Sequence, residues 1–122
     1  MAVKLNRTGL EFGKKLVSEG MIVRDESDAW SEDQPSADEE NAFIRDNGFE
    51  EYAKWHLGIE EKDPEDTKRR YKFPFGNFKR VHRCAVLSVE SRAGEYKYRD
   101  IELAAAHLHG MLDGTRHQAR GA

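Results

Sequence analysis

Hydrophobic positions in this chain come in short clusters separated by polar runs, and the spacing within each cluster sets the element expected there. Leu10, Phe12, Leu16 and Val17 give an apolar side to a first helix, with Thr8 and Glu11 at capping-box spacing and Gly20 at its end. Gly9 and Gly13 weaken that helix by up to about 1 kcal/mol each relative to alanine. Met21-Ile22-Val23 reads as a short extended stretch. From Arg24 to Gln34 acids and turn formers dominate, with Trp30 as the one large apolar anchor. A second helix starts at Pro35-Ser36, where Ser36 and Glu39 repeat the capping pattern and Asp38, Glu39 and Glu40 complement the helix dipole; Asn47-Gly48 stops it. Phe49, Tyr52, Ala53 and His56 then fall at i, i+3, i+4 and i+7, which predicts a third helix over Phe49–Leu57 with Gly58 just past its end.

Asp63-Pro64 predicts a short turn reaching about Arg69. Tyr71 to Asn77 should be extended and then turned, because Phe73 precedes Pro74 and is pushed out of the α region. Val81, Val86 and Val89 leave Phe78 to Ala93 ambiguous between strand and helix; its length and the Gly94 stop favour helix, with Val81, Cys84, Ala85 and Ser88 on one side. Asp100 caps a last helix in which Ile101, Ala104, Ala105, Leu108 and Leu112 follow a 3.6-residue period up to Gly114.

These elements predict a mainly α fold: a compact single domain of four to five short helices, with an extended aromatic segment and turn around residues 71–77 and room for one short β element. The expected organisation is an N-terminal helix and extended stretch over residues 1–23, sitting apart or packed loosely, then an acidic linker over 24–34. A compact helical domain over 35–114 and a disordered tail over 115–122 follow. The expected core is Phe43, Phe49, Tyr52, Trp55, Phe73, Phe75, Val81, Ala85, Ile101, Leu108 and Leu112.

Length and composition fit one domain: 122 residues can bury a single modest core. No stretch approaches the roughly 20 apolar residues of a membrane helix. Met1–Leu10 lacks the apolar h-region of a signal peptide, so a cytoplasmic location with no membrane contact is the expectation. Charge changes the picture more. A net charge of −3 conceals sixteen acids against Arg45, Lys54 and Lys62 between Asp25 and Asp66. The stretch after Asp66 holds no acid before Glu90, and carries Lys68, Arg69, Arg70, Lys72, Lys79, Arg80 and Arg83 around Tyr71, Phe73, Phe75 and Phe78. Cations neutralise phosphate while aromatic rings stack bases, so these seven cations form a candidate anion or nucleic-acid contact. A helix starting after Asn77 would add the free N–H groups of Phe78, Lys79 and Arg80 as an anion site. Against this, Tyr71, Phe73 and Phe75 share one side of an extended strand and fit a core. The cations could equally be solvated or pair with the protein's own acidic half.

Other chemistry is thinly supported. His56, His82, Cys84, His107 and His109 include the right ligand types for zinc, but neither His107-x-His109 nor His82-x-Cys84 can chelate one ion from a single helix face. No metal site and no cofactor are expected. Cys84 could act as a nucleophile with His82 or His107; a buried structural thiol is the commoner reading. Glycine spacing matches neither a P-loop nor a dinucleotide fingerprint, and the carboxylates lie in solvated runs.

Several short motifs come in a fixed order: Trp55-His56-Leu57-Gly58, Glu65-Asp66-Thr67-Lys68, Tyr71-Lys72-Phe73-Pro74-Phe75-Gly76, Val81-His82-Arg83 and Ala104-Ala105-Ala106-His107-Leu108. Together they resemble a small bacterial domain-of-unknown-function family, common in actinobacteria, with looser phage-encoded relatives. The resemblance covers about half the chain. It implies a compact bacterial cytoplasmic domain and carries over no catalytic residue. The resulting expectation is a non-enzymatic binding or adaptor protein whose Lys68–Arg83 face contacts an anionic partner such as nucleic acid. A protein–protein module that engages a basic partner through the acidic Asp25–Glu40 segment is the alternative. A thiol enzyme using Cys84 comes third.

Overall fold

The computed structural model describes residues 3–26 and 29–121, with side chains as far as residue 114. The chain runs β1 (Val3–Leu5), α1 (Arg7–Ser18), β2 (Ile22–Val23), α2 (Trp30–Asp33), α3 (Ala37–Asn47) and α4 (Phe49–Ala53). It continues with β3 (His56–Glu60), a 3₁₀ turn at Lys68–Arg70, β4 (Tyr71–Pro74), β5 (Val81–His82), α5 (Arg83–Glu95) and α6 (Arg99–Gly121). The fold is therefore α+β, and the expectation of a mainly α domain with one short β element is wrong. An antiparallel sheet of order β1-β3-β4 and a two-stranded parallel pair β2-β5 stand among the helices.

The missed centre is β3. Its stretch was expected to end a helix, yet α4 stops at Ala53 and the chain turns at Lys54-Trp55 into a strand. Four of the five β3 residues are buried, so the strand is covered on both faces and shows no alternating pattern to betray it. Gly58 is an interior strand position: a Cβ there would stand 2.8 Å from the Phe73 ring and 3.0 Å from Val3.

The N-terminal helix also differs from expectation. It neither sits apart nor carries a capping box, because Asn6 is its N-cap. Buried Asn6 donates through Nδ2 to the carbonyls of Ala53 and His56, both at 3.0 Å, which welds the helix start to β3. The two glycines that weaken this helix are what let it approach. A Cβ at Gly9 would collide with the His56 carbonyl, and one at Gly13 would meet the Phe75 and Leu108 side chains. Leu16 and Val17 complete the buried face.

Other expectations hold. The α3 capping box is present, Ser36 Oγ accepting from the Glu39 amide at 3.1 Å while Glu39 accepts from the Ser36 amide at 3.0 Å. Tyr52, Trp55, Phe75, Val81, Ala85, Ile101, Leu108 and Leu112 are buried; Phe43 and Phe73 pack half-buried against that core and Phe49 is half-buried. Leu57, Val86, Val89, Ala93, Ala104 and Ala105 add to it. Helix α5 begins only at Arg83, after a bend at residues 78–80 and the short strand β5. Phe73 and Phe78 take left-handed φ values of 61° and 70°, which costs on the order of 1–2 kcal/mol at each. The expected tail, residues 115–122, lies where the helix backbone alone is described, as far as Gly121. Among the described residues no helix is long and apolar enough to cross a membrane.

Candidate functional site

Two residues of parallel sheet organise the polar centre of the molecule. Ile22 pairs with Val81 and Val23 with His82, and the Val81 amide donates to the Met21 carbonyl at 2.9 Å. Continuing that register two residues sets Asp25 beside Cys84, at the first turn of α5. Helix α5 has no capping side chain of its own at His82. Asp25 supplies the cap from the other strand: its Oδ1 accepts from the Cys84 amide at 2.8 Å. Its second oxygen accepts from the Cys84 thiol at 2.9 Å and lies 2.7 Å from His82 Nδ1.

His82 is extended and Cys84 opens the helix, so the two side chains point the same way although a single helix would have thrown them apart. Asp33, at the end of α2, is the exposed edge of the cluster, with its carboxylate 3.9 Å from the same His82 nitrogen. Burial alone would push the Asp25 carboxyl up. The Cys84 thiol and amide and the His82 ring outweigh it and hold the carboxyl well below the usual carboxylate range. The Cys84 thiol is pushed up, first by burial and then by the Asp25 carboxylate it bonds, so it stays protonated. The hydrogen bond that Asp33 shares with Asp25 pushes the Asp33 carboxyl up as well.

Trp30, on α2, lies over this cluster with its ring 5.4 Å from that of His82. The same Trp30 forms one wall of a groove of about 670 Å³ between α2, β4 and α5. Four more rings line it, those of Tyr71, Phe73, Tyr96 and Tyr98, and Tyr96 stacks on Tyr98 at 5.9 Å. Among the described residues its charged lining consists of Lys72 and Arg92, with Ser31, Ser88 and Gln34 as neutral polar groups and no carboxylate.

The structure disperses the seven candidate cations. Lys68 lies 3.0 Å from Glu40 and donates to Asn41, and Arg69 lies 3.3 Å from Asp63. Arg70 donates to the carbonyls of Glu61 and Asp63, and Arg83 lies 3.3 Å from Asp113. Part of the acidic half thus folds back on the basic segment. Lys72 alone of the seven opens onto the groove, while Lys79 and Arg80 are exposed. The helix-terminus anion site expected after Asn77 does not form, because the amides of Lys79 and Arg80 both donate to Asn77 Oδ1 and no helix starts there.

The histidines disperse too. His56 is buried against Tyr52, and its ring is held near the Tyr52 carbonyl at 2.9 Å. His107 is exposed on α6, and His109 lies between Glu90 at 3.0 Å and Asp113 at 3.1 Å. Arg92, Tyr96 and Tyr98 lie outside the expected sites, and Asp25 and Asp33 belong to the acidic Asp25–Glu40 segment expected to meet a basic partner, not to a cluster with His82 and Cys84. The acid-tryptophan run marked Trp30 as an anchor, but only the parallel register brings Asp25 to Cys84. No protein-family model, characterised protein or solved structure matches this chain.

Proposed function

We propose that this chain is a small non-enzymatic binding protein of the bacterial cytoplasm that holds single-stranded nucleic acid in the groove between α2, β4 and α5. The observation that carries this reading is the lining: five aromatic rings and the cations Lys72 and Arg92, with no carboxylate among the described residues that line it. Rings stack bases of any sequence, at about 1–3 kcal/mol per base, while the two cations neutralise phosphates. Tyr96 is 57% exposed and available for such a contact. The reading narrows the Lys68–Arg83 face to Lys72, with Arg92 from α5 as its partner. Lys68, Arg69, Arg70 and Arg83 are engaged by groups of the protein itself.

A thiol enzyme is disfavoured because Cys84 donates to Asp25 and its thiol is held protonated. The acidic-segment module ranks below the groove because Asp25, Glu39 and Glu40 make internal contacts.

Fluorescence anisotropy of a labelled single-stranded oligonucleotide tests the proposal. Two phosphate contacts imply binding about sevenfold weaker at about 200 mM salt than at about 50 mM. Lys72→Glu with Arg92→Glu should abolish it, and Tyr96→Ala should weaken it about tenfold or more. No binding at low salt, or binding that survives the groove changes and is lost in Lys79→Glu with Arg80→Glu, would overturn the groove assignment.

A further inference from the structure

The polar cluster behind the groove has a property that capping alone does not require. One oxygen of Asp25 accepts from the Cys84 thiol at 2.9 Å and lies 2.7 Å from His82 Nδ1, and an Asp33 carboxylate oxygen stands 3.9 Å from the same nitrogen. Nitrogen, sulfur and carboxylate oxygens from four residues thus converge, with one donor atom from each lying within 4.8 Å of all the others. One divalent cation, displacing the thiol proton, can satisfy two carboxylates, a thiolate and an imidazole at once.

We propose that Asp25, Asp33, His82 and Cys84 form a four-ligand site for a divalent ion of the zinc class. The donor set suits that ion, which takes thiolate, imidazole and carboxylate together in a tetrahedron. One supporting contact is in place at Asp25, while His82 Nε2 is buried without a hydrogen-bond partner. The Asp25 oxygen facing away from the cluster is fixed by the Cys84 amide at 2.8 Å, leaving the other to bind the metal. His82 presents Nδ1 from a strand, and Cys84 follows two residues later at the helix start, so both ligands rest on the packed β5–α5 corner. His82 and Cys84 are buried, whereas the Asp33 side chain is 37% exposed at the mouth.

Tetrahedral bonds of about 2.0–2.3 Å set the ligand atoms roughly 3.3–3.7 Å apart. The Asp25–His82 and Asp25–Cys84 contacts must therefore each open by about half an ångström, while Asp33 closes in from 3.9 Å. Asp33 ends a four-residue helix and can make that movement with little repacking. The ion would staple α2 to α5 and fix Trp30 above His82. This inference stands apart from the nucleic-acid reading, since the site exists whether or not the groove binds a strand.

Cobalt(II) titration of the chelator-treated full chain is the test, followed by displacement with zinc. The expected result is one ion per chain, with a thiolate-to-cobalt charge-transfer band in the near ultraviolet and tetrahedral visible bands. Zinc should bleach both and raise the thermal transition. Cys84→Ser should lose the charge-transfer band. Asp33→Asn, at an exposed position that should not disturb folding, should shift the titration midpoint to higher cobalt. Circular dichroism confirms that each variant is folded. Absence of a thiolate band together with an unmoved thermal transition would overturn the proposal. So would binding unchanged in the folded Asp33→Asn variant.

Discussion

His56 and His82 are buried to nearly the same depth, 2% and 6% exposed, yet they sit in opposite kinds of surroundings. Both lie in strands, and both place Nδ1 within hydrogen-bond distance of an oxygen. Around His56 that oxygen is a neutral carbonyl, and the neighbours are the rings of Tyr52 and Tyr71. Burial therefore dominates and pulls the imidazole down to about 4. Around His82 the oxygen belongs to a carboxylate that also holds a thiol and caps a helix. The depth of a polar group says little by itself; what it is buried against decides whether the site is merely packed or chemically equipped. Phe75 joins the two regions, its amide donating to the Trp55 carbonyl at 3.1 Å and its own carbonyl accepting from His82 at 3.0 Å.

The comparison can be broken most forcefully at that junction. Phe75 is fully buried, so Phe75→Ala should cost about 3–5 kcal/mol in urea unfolding and loosen both regions in one transition. Two separate transitions would show that the regions are independent.

His56 gives the next largest effect. The folded imidazole stays neutral down to about 4, whereas the unfolded one takes its proton near 6.5. Between those values the unfolded state binds more protons, so stability falls as pH drops from about 6.5 to about 4, by on the order of 3 kcal/mol, and then levels off. His56→Asn keeps a donor toward the Tyr52 carbonyl and should flatten that window.

Asp25 acts in the adjoining range. Its carboxyl is held below the unfolded value, so its contribution is present above about pH 4 and is lost as pH falls further. Asp25→Ala removes the cap and the thiol's partner, and should cost about 1–3 kcal/mol in chemical unfolding. It should also speed reaction of Cys84 with a thiol reagent, because the neighbouring carboxylate no longer holds the proton on sulfur.

The smallest effect belongs to the exposed pairs. Arg69→Ala removes a contact to Asp63 from a side chain that is 68% exposed, and should change stability by less than about 0.5 kcal/mol.

How much of this the sequence shows depends on whether the cause is local. The α3 capping box and the apolar period of α6 are written in adjacent residues, and both elements form there. Strand β3 is not legible, because full burial erased its alternation and Phe49, Tyr52, Ala53 and His56 happened to match a helical period. In sequence the glycines of α1 show only their helix cost, since their close approach to His56 and Phe75 depends on elements some forty to sixty residues away. The cluster around His82 is the least legible. Asp25 looks like one acid among many until a two-residue parallel pairing, invisible in either strand alone, sets it beside Cys84.

The pairing of Asp25 with the start of α5 matters most, since Trp30 lies over His82 and forms one wall of the groove. Amide hydrogen exchange at Cys84 tests it directly. The Cys84 N–H should exchange slowly in the native chain and become fast in folded Asp25→Ala, while Val89 in the middle of α5 stays protected. A Cys84 amide that exchanges as fast as an unprotected one in the native protein, or that is indifferent to Asp25→Ala, would contradict it.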